Sequence, residues 1–127
     1  MPKRWEPKFD ECLAMMRSRD PQVAENGFGW LEERASEYLP RLLEAFGNDE
    51  NHSIRSWLLE LIAEARCEDA FPVLCEQALS EDESLRQWAI GGLELLDTKA
   101  SRTFLFEHGL SRQGVRPQAP GREDALQ

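Results

Sequence analysis

Apolar residues recur in this chain every 31 positions, and a repeat of that length leaves few folds open. Val23, Ile54 and Leu85 form one column of the register, and Gly27, Leu58 and Ala89 a second. Phe28, Leu59 and Ile90 form a third, and Leu31, Ile62 and Leu93 a fourth. Trp57 and Trp88 share a column, as do Arg55 and Arg86. The segments ahead of these keep the same offset, with Leu43, Leu74 and Leu105 in one column and Leu42, Val73 and Phe104 in another. Pro40 and Pro72 stand 32 apart, so one residue of slack lies between them. The first unit is the least regular, with Glu11 and Cys12 where Leu42 and Leu43 later stand.

Each unit reads as two helices. EYLPRLLEAF places Leu39, Leu42, Leu43 and Phe46 on one face at helical spacing. Pro40 is tolerated in the first turn, where backbone N–H groups lack partners anyway, and Gly47 is expected to end the helix. After the turn GNDENHS, IRSWLLELIAEA is expected to bury Ile54, Leu58, Leu61, Ile62 and Ala65. The next unit repeats the plan with DAFPVLCEQAL, the turn SEDES and LRQWAIGGLELL. In the first unit Asp20 caps and Pro21 opens the second helix. Three units result, at about 8–35, 36–66 and 67–97. A last helix, roughly Lys99 to His108, covers the open end, giving one domain over 1–110. Residues 111–127, with two Pro, two Gly and few apolar side chains, are expected to form a flexible tail. Composition agrees with an all-α chain: Val, Ile and Thr, which suit strands, number three, three and two. Neither helix of such a pair can bury its apolar face alone, so the units must stack.

The segment EDESLRQWAIGGLELLD resembles the second helix of the short HEAT-like repeats of bacteria, including those of phycobilin lyases. Asp82, Leu85, Arg86, Ala89, Gly92 and Leu93 carry the likeness, and Asp49, Ile54, Arg55, Leu58 and Ile62 carry it more loosely. It covers roughly residues 8–108 and specifies a fold but no activity. It implies a right-handed α-solenoid of about three helix pairs plus the C-terminal capping helix, with the second helices lining the concave face. It also implies that Arg55 and Arg86 are structural, pairing with turn acids such as Asp49 and Asp82.

Net charge is −9, unevenly spread. Residues 20–97 carry 18 acids and 5 bases, whereas residues 1–19 and 98–127 each carry 5 bases and 3 acids. An acidic body repels phosphates, which argues against direct nucleic-acid binding and against anionic membrane surfaces. It favours a basic protein partner through steering and complementary fields. MPKRWEPKF has no stretch like a signal peptide, and no run approaches transmembrane length. Cys12, Cys67 and Cys75, odd in number and set on or beside helices, suit buried thiols in a cytoplasmic protein. His52 and His108 are not spaced as zinc ligands, so no metal site is expected.

Removing the core columns from each second helix leaves the candidate partner-binding side chains. They are Glu25, Glu32, Ser56, Glu60, Glu64, Gln87, Gly91 and Glu94, with Ala24, Gly29, Glu33 and Ala63 also on the solvent side. Trp57 and Trp88 sit between core and solvent columns, where they serve either as interface anchors or as packing between repeats. Gly91 offers a bare spot to a partner's backbone, and Gly92 is expected to relieve crowding against the terminal helix.

Catalysis finds little support. Ser53 and His52 are neighbours with no orienting acid at a recognisable spacing, and no glycine-rich phosphate loop occurs. No cofactor is expected, because the phycobilin-lyase likeness is one of repeats and carries over no chromophore site. The expectation is a non-catalytic binding protein for a basic partner. Bacterial immunity proteins, small, often acidic and sometimes HEAT-like, are similar in this respect, and an adaptor or scaffold subunit is the alternative.

Overall fold

A hierarchy of side-chain caps, repeated with the period of the sequence, starts each second helix. Asp20, Asn51 and Asp82, spaced by 31, accept from the backbone N–H of Gln22, Ile54 and Leu85 at 2.9, 3.1 and 3.0 Å. Two residues earlier, Ser18, Asp49 and Ser80 accept from the N–H of those same capping residues at 3.0, 2.9 and 3.0 Å. Each helix thus begins with one of its first-turn N–H groups held by the cap. In the second unit the helix starts at His52, two residues before the expected Ile54, because Asn51 is the cap.

The structure, a computed structural model, describes residues 7–110. Seven α-helices follow one another: α1 Phe9–Met16, α2 Pro21–Glu32, α3 Leu39–Asn48, α4 His52–Glu64, α5 Phe71–Ala78, α6 Glu83–Leu96 and α7 Lys99–Glu107. A 3₁₀ turn, Glu68–Ala70, leads into α5. No strand occurs among the described residues, and the helix pairs form the all-α stack that the repeat requires. The tail expected at 111–127 lies outside the described residues. Pro21, Pro40 and Pro72 all sit in first turns. Helix α3 runs one residue past Gly47, which therefore does not end it.

Within pairs, α1 packs on α2, α3 on α4 and α5 on α6, while α7 covers α6. Leu31, Leu58, Leu61, Ile62 and Leu93 lose all contact with solvent. The first helices depart from the strict register. Burial aligns Phe9, Cys12 and Met16 with Leu39, Leu42 and Phe46, and Leu42 in turn with Leu74 and Leu105. Leu42, not Leu43, is the core residue of α3, so that helix stands one residue early relative to the constant spacing of the second helices. The slack implied by Pro40 and Pro72 is taken up there.

Close approach between helices depends on two glycines. A Cβ on Gly27 would meet the Cys12 carbonyl oxygen and the Met15 Cβ at 2.7 Å, so α1 and α2 touch through bare backbone. A Cβ on Gly92 would lie 2.8 Å from the Ala63 Cβ and 2.9 Å from Leu74 Cδ2. Gly92 therefore relieves crowding against α4 and α5, not against the terminal helix. Ala63, placed on the solvent side by sequence, is buried in that contact, and Ala24 is buried too.

Candidate functional site

The two seams between second helices are built differently, and the difference makes the site. Between α4 and α6, Ala63 faces Gly92, and the helices pack closely. One repeat earlier, the same columns hold Glu32 on α2 and Leu61 on α4. A carboxylate stands where the next unit has a methyl, and α2 contacts α4 far more sparingly. The main aromatic contact across this seam is Phe28 on Trp57, with ring centroids 5.1 Å apart.

Three acids converge on the looser seam. Glu32 and Glu64 share a hydrogen bond, and Glu60 lies one turn before Glu64 on the same helix. Glu60 and Glu64 are half-buried, and Glu32 is exposed. Burial first, then the hydrogen bond to Glu32 and the charges of Glu32 and Glu60, push the Glu64 carboxyl up to about 7. Burial and the Glu32 charge also raise Glu60. Carboxylates held this close gain from any cation that comes to them, because it relieves their mutual repulsion.

The remaining candidates divide. Glu25 is exposed on α2 and lines a shallow cleft of about 240 Å³ with Asn26, Gly29, Trp30 and Glu33. Ser56 is half-buried, and its Oγ lies 3.2 Å from Ser84 Oγ in the α4–α6 seam. Trp57 is packed between repeats under Phe28, whereas Trp88, in the same column, stays 38% exposed. The position that supplies Phe28 to the first seam holds Leu59 in the second, and Leu59 is fully buried. Gln87 is exposed, Glu94 half-buried, and a Cβ on Gly91 would meet nothing within 4 Å.

The expected arginine pairs are rearranged. Arg86 donates to the Ser80 carbonyl at 3.0 Å instead of pairing with Asp82. Asp82 is instead bonded by His52 Nε2 at 2.6 Å. Asp49 is bonded by Arg17 from the preceding unit, while the Arg55 guanidinium lies 4.1 Å over the Phe46 ring. Burial raises the Asp49 carboxyl, but the Asn51 N–H and Arg17 outweigh it and hold the group below its ordinary value. The Leu85 N–H, and then His52, likewise lower Asp82. The His52–Asp82 pair, 30 residues apart in the chain, gives His52 the acid partner that sequence reading had not found. His52 lines a cleft of about 420 Å³ with Ser53, Ser56 and Trp57. Asp82 is committed as the cap of α6, and the pair ties the second turn to the third.

Cys12, Cys67 and Cys75 are free thiols, and burial raises Cys12 and Cys75. Among the described residues no group of three or more His, Cys, Asp or Glu is placed to hold a metal ion, and no helix is long and apolar enough to cross a membrane.

A family model for HEAT repeats matches residues 39–117, beginning at the first residue of α3. The chain belongs to the HEAT repeat family. The match takes in the second and third helix pairs and α7, and it leaves out the less regular first pair. No curated protein and no solved structure matches the chain. HEAT repeats generally mediate protein–protein interaction on a scaffold that carries no chemistry of its own, so the surfaces of this stack are where function is to be sought.

Proposed function

We propose that this HEAT-repeat protein is a non-catalytic binding module that docks a basic protein on the acidic face of its second helices, acting as an immunity-type inhibitor that occludes a cationic surface. The convergence of Glu32, Glu60 and Glu64 from two helices carries this reading. The three acids repel one another in the free protein, and a cationic partner removes that penalty on docking. Glu25 and Glu94 extend the same sign along the face. The concentration of acids within residues 20–97 adds long-range steering toward it.

The test begins with partner capture from the native host and mass spectrometry, followed by association kinetics against salt. Association is expected to slow steeply as salt screens the field, whose reach is about 8 Å at physiological ionic strength. Reversing Glu32, Glu60 and Glu64 to Lys should slow association and weaken the complex. Reversing Glu37, Glu44 and Glu76, exposed acids on or before the first helices, alters net charge equally and serves as the control. Equal losses in the two triple variants would reduce the acidic face to bulk charge and overturn the reading.

A further inference from the structure

Helix α6 carries an apolar strip that none of the described residues covers. Trp88 is 38% exposed and Leu95 39%, and they lie seven residues apart on one side of the helix. Gly91 lies between them, with open space where its Cβ would be. The neighbouring helix fixes what borders the strip. The Ser56–Ser84 bond and the Ala63–Gly92 contact set α4 and α6 side by side with an offset of 28 to 29 residues. Trp88 therefore stands level with Glu60, and Gly91 with Ala63, next to Glu64. On the far side of the strip, Glu94 projects from α6 itself.

An apolar line between two acidic borders fits one kind of ligand closely. We propose that the Trp88–Gly91–Leu95 strip docks an amphipathic basic helix of a partner protein, whose apolar edge lies over Gly91 between Trp88 and Leu95 while its Lys or Arg side chains reach the acids on either side. This deepens the proposed function and rests on it, since the acids that select a cationic partner also flank the strip. The bare Gly91 lets the incoming helix approach closely, and Trp88 supplies the large, partly exposed aromatic surface that dominates such contacts. Anionic amphipathic helices would meet like charge along both borders.

The probe is a synthetic helix of about 18 residues, about 27 Å long, with one face of Leu and the flanks of Lys. It is compared with a scrambled isomer of the same composition and with a version carrying Glu for Lys, by calorimetric titration into the full-length protein. The patterned basic helix should bind one to one, at least about tenfold tighter than the scrambled isomer, and the Glu version should not bind. Gly91→Arg should abolish binding while keeping the melting temperature, because the site has room and Gly is a poor helix former. Leu95→Ser should weaken it without altering its salt dependence. If patterned and scrambled helices bind alike, and Glu60→Lys with Glu64→Lys weakens both, the strip is overturned while the acidic face stands. If those charge reversals change nothing, the acidic reading fails as well. Should sedimentation show a dimer that Gly91→Arg dissociates, the occupant is a second copy and the proposal is overturned.

Discussion

Glu64 of α4 and Glu32 of α2 share a hydrogen bond across the seam between the first two helix pairs. Burial first, and then this bond, which two carboxyl groups can form only when one holds a proton, push Glu64 up to about 7 from the ordinary 4.5. The folded state then binds more protons than the unfolded chain between these values. Stability is greatest below about 4.5 as far as this group is concerned, and it is lost as pH rises through about 7. Glu64→Gln keeps a hydrogen-bond donor for Glu32 and removes the charge. Melting curves by circular dichroism should show the variant more stable than the parent above pH 7 and little different near pH 4.5. An unchanged loss of stability between those limits in the variant would place its origin elsewhere.

The four helical glycines of α2 and α6 should respond in opposite ways to one added methyl group. Gly27→Ala forces a Cβ against the Cys12 carbonyl, and Gly92→Ala forces one against the Ala63 Cβ and Cα. Backbone has to move in both, so a loss of about 1–3 kcal/mol is expected in denaturant unfolding. Gly29→Ala and Gly91→Ala meet nothing within 4 Å and should gain about 0.5–1 kcal/mol from helix propensity. A gain at Gly92 would show that α4 and α6 do not touch there.

Replacing the capping side chains should cost about 1 kcal/mol each, as loss of an N-cap hydrogen bond does. Asp20→Ala and Asn51→Ala remove only the cap. Asp82→Ala also releases His52, so its cost should exceed that of the other two. Urea unfolding of the three variants at pH 7 measures the difference.

Leu58→Ala and Leu93→Ala should each destabilise by roughly 2–5 kcal/mol, since both side chains are wholly buried in the core. Deleting residues 99–127 removes α7 from α6 and with it the cover over that end of the stack, so the shortened chain should melt far below either point variant. A truncated chain that melts like the parent would mean that α7 is not a cap.

Helix pairs, their number and their second-helix core were legible as amino-acid spacing, because a residue's place on a helix face follows from its position in the chain. The columns headed by Leu31 and Gly27 are buried throughout, as a 31-residue period requires. The acids of the face were legible for the same reason: Glu60 and Glu64 project from the side opposite Leu58 and Ile62. Which of them meet was not legible. That depends on how near two helices come, and the distance is set by pairs that no single-helix pattern reveals. Ala63 against Gly92 closes one seam, and the other, with Glu32 and Leu61 in the same columns, is looser. Spacing cannot foresee that His52 lies against Asp82 or that Arg17 reaches Asp49, because those side chains belong to different turns. The one-residue shift of α3 likewise arises from packing, where Leu42 fills the core and leaves Leu43 at its edge. Local periodicity determined what each helix buries, and tertiary contact decided which exposed groups become neighbours, because only neighbours across a seam exchange charge, protons and room.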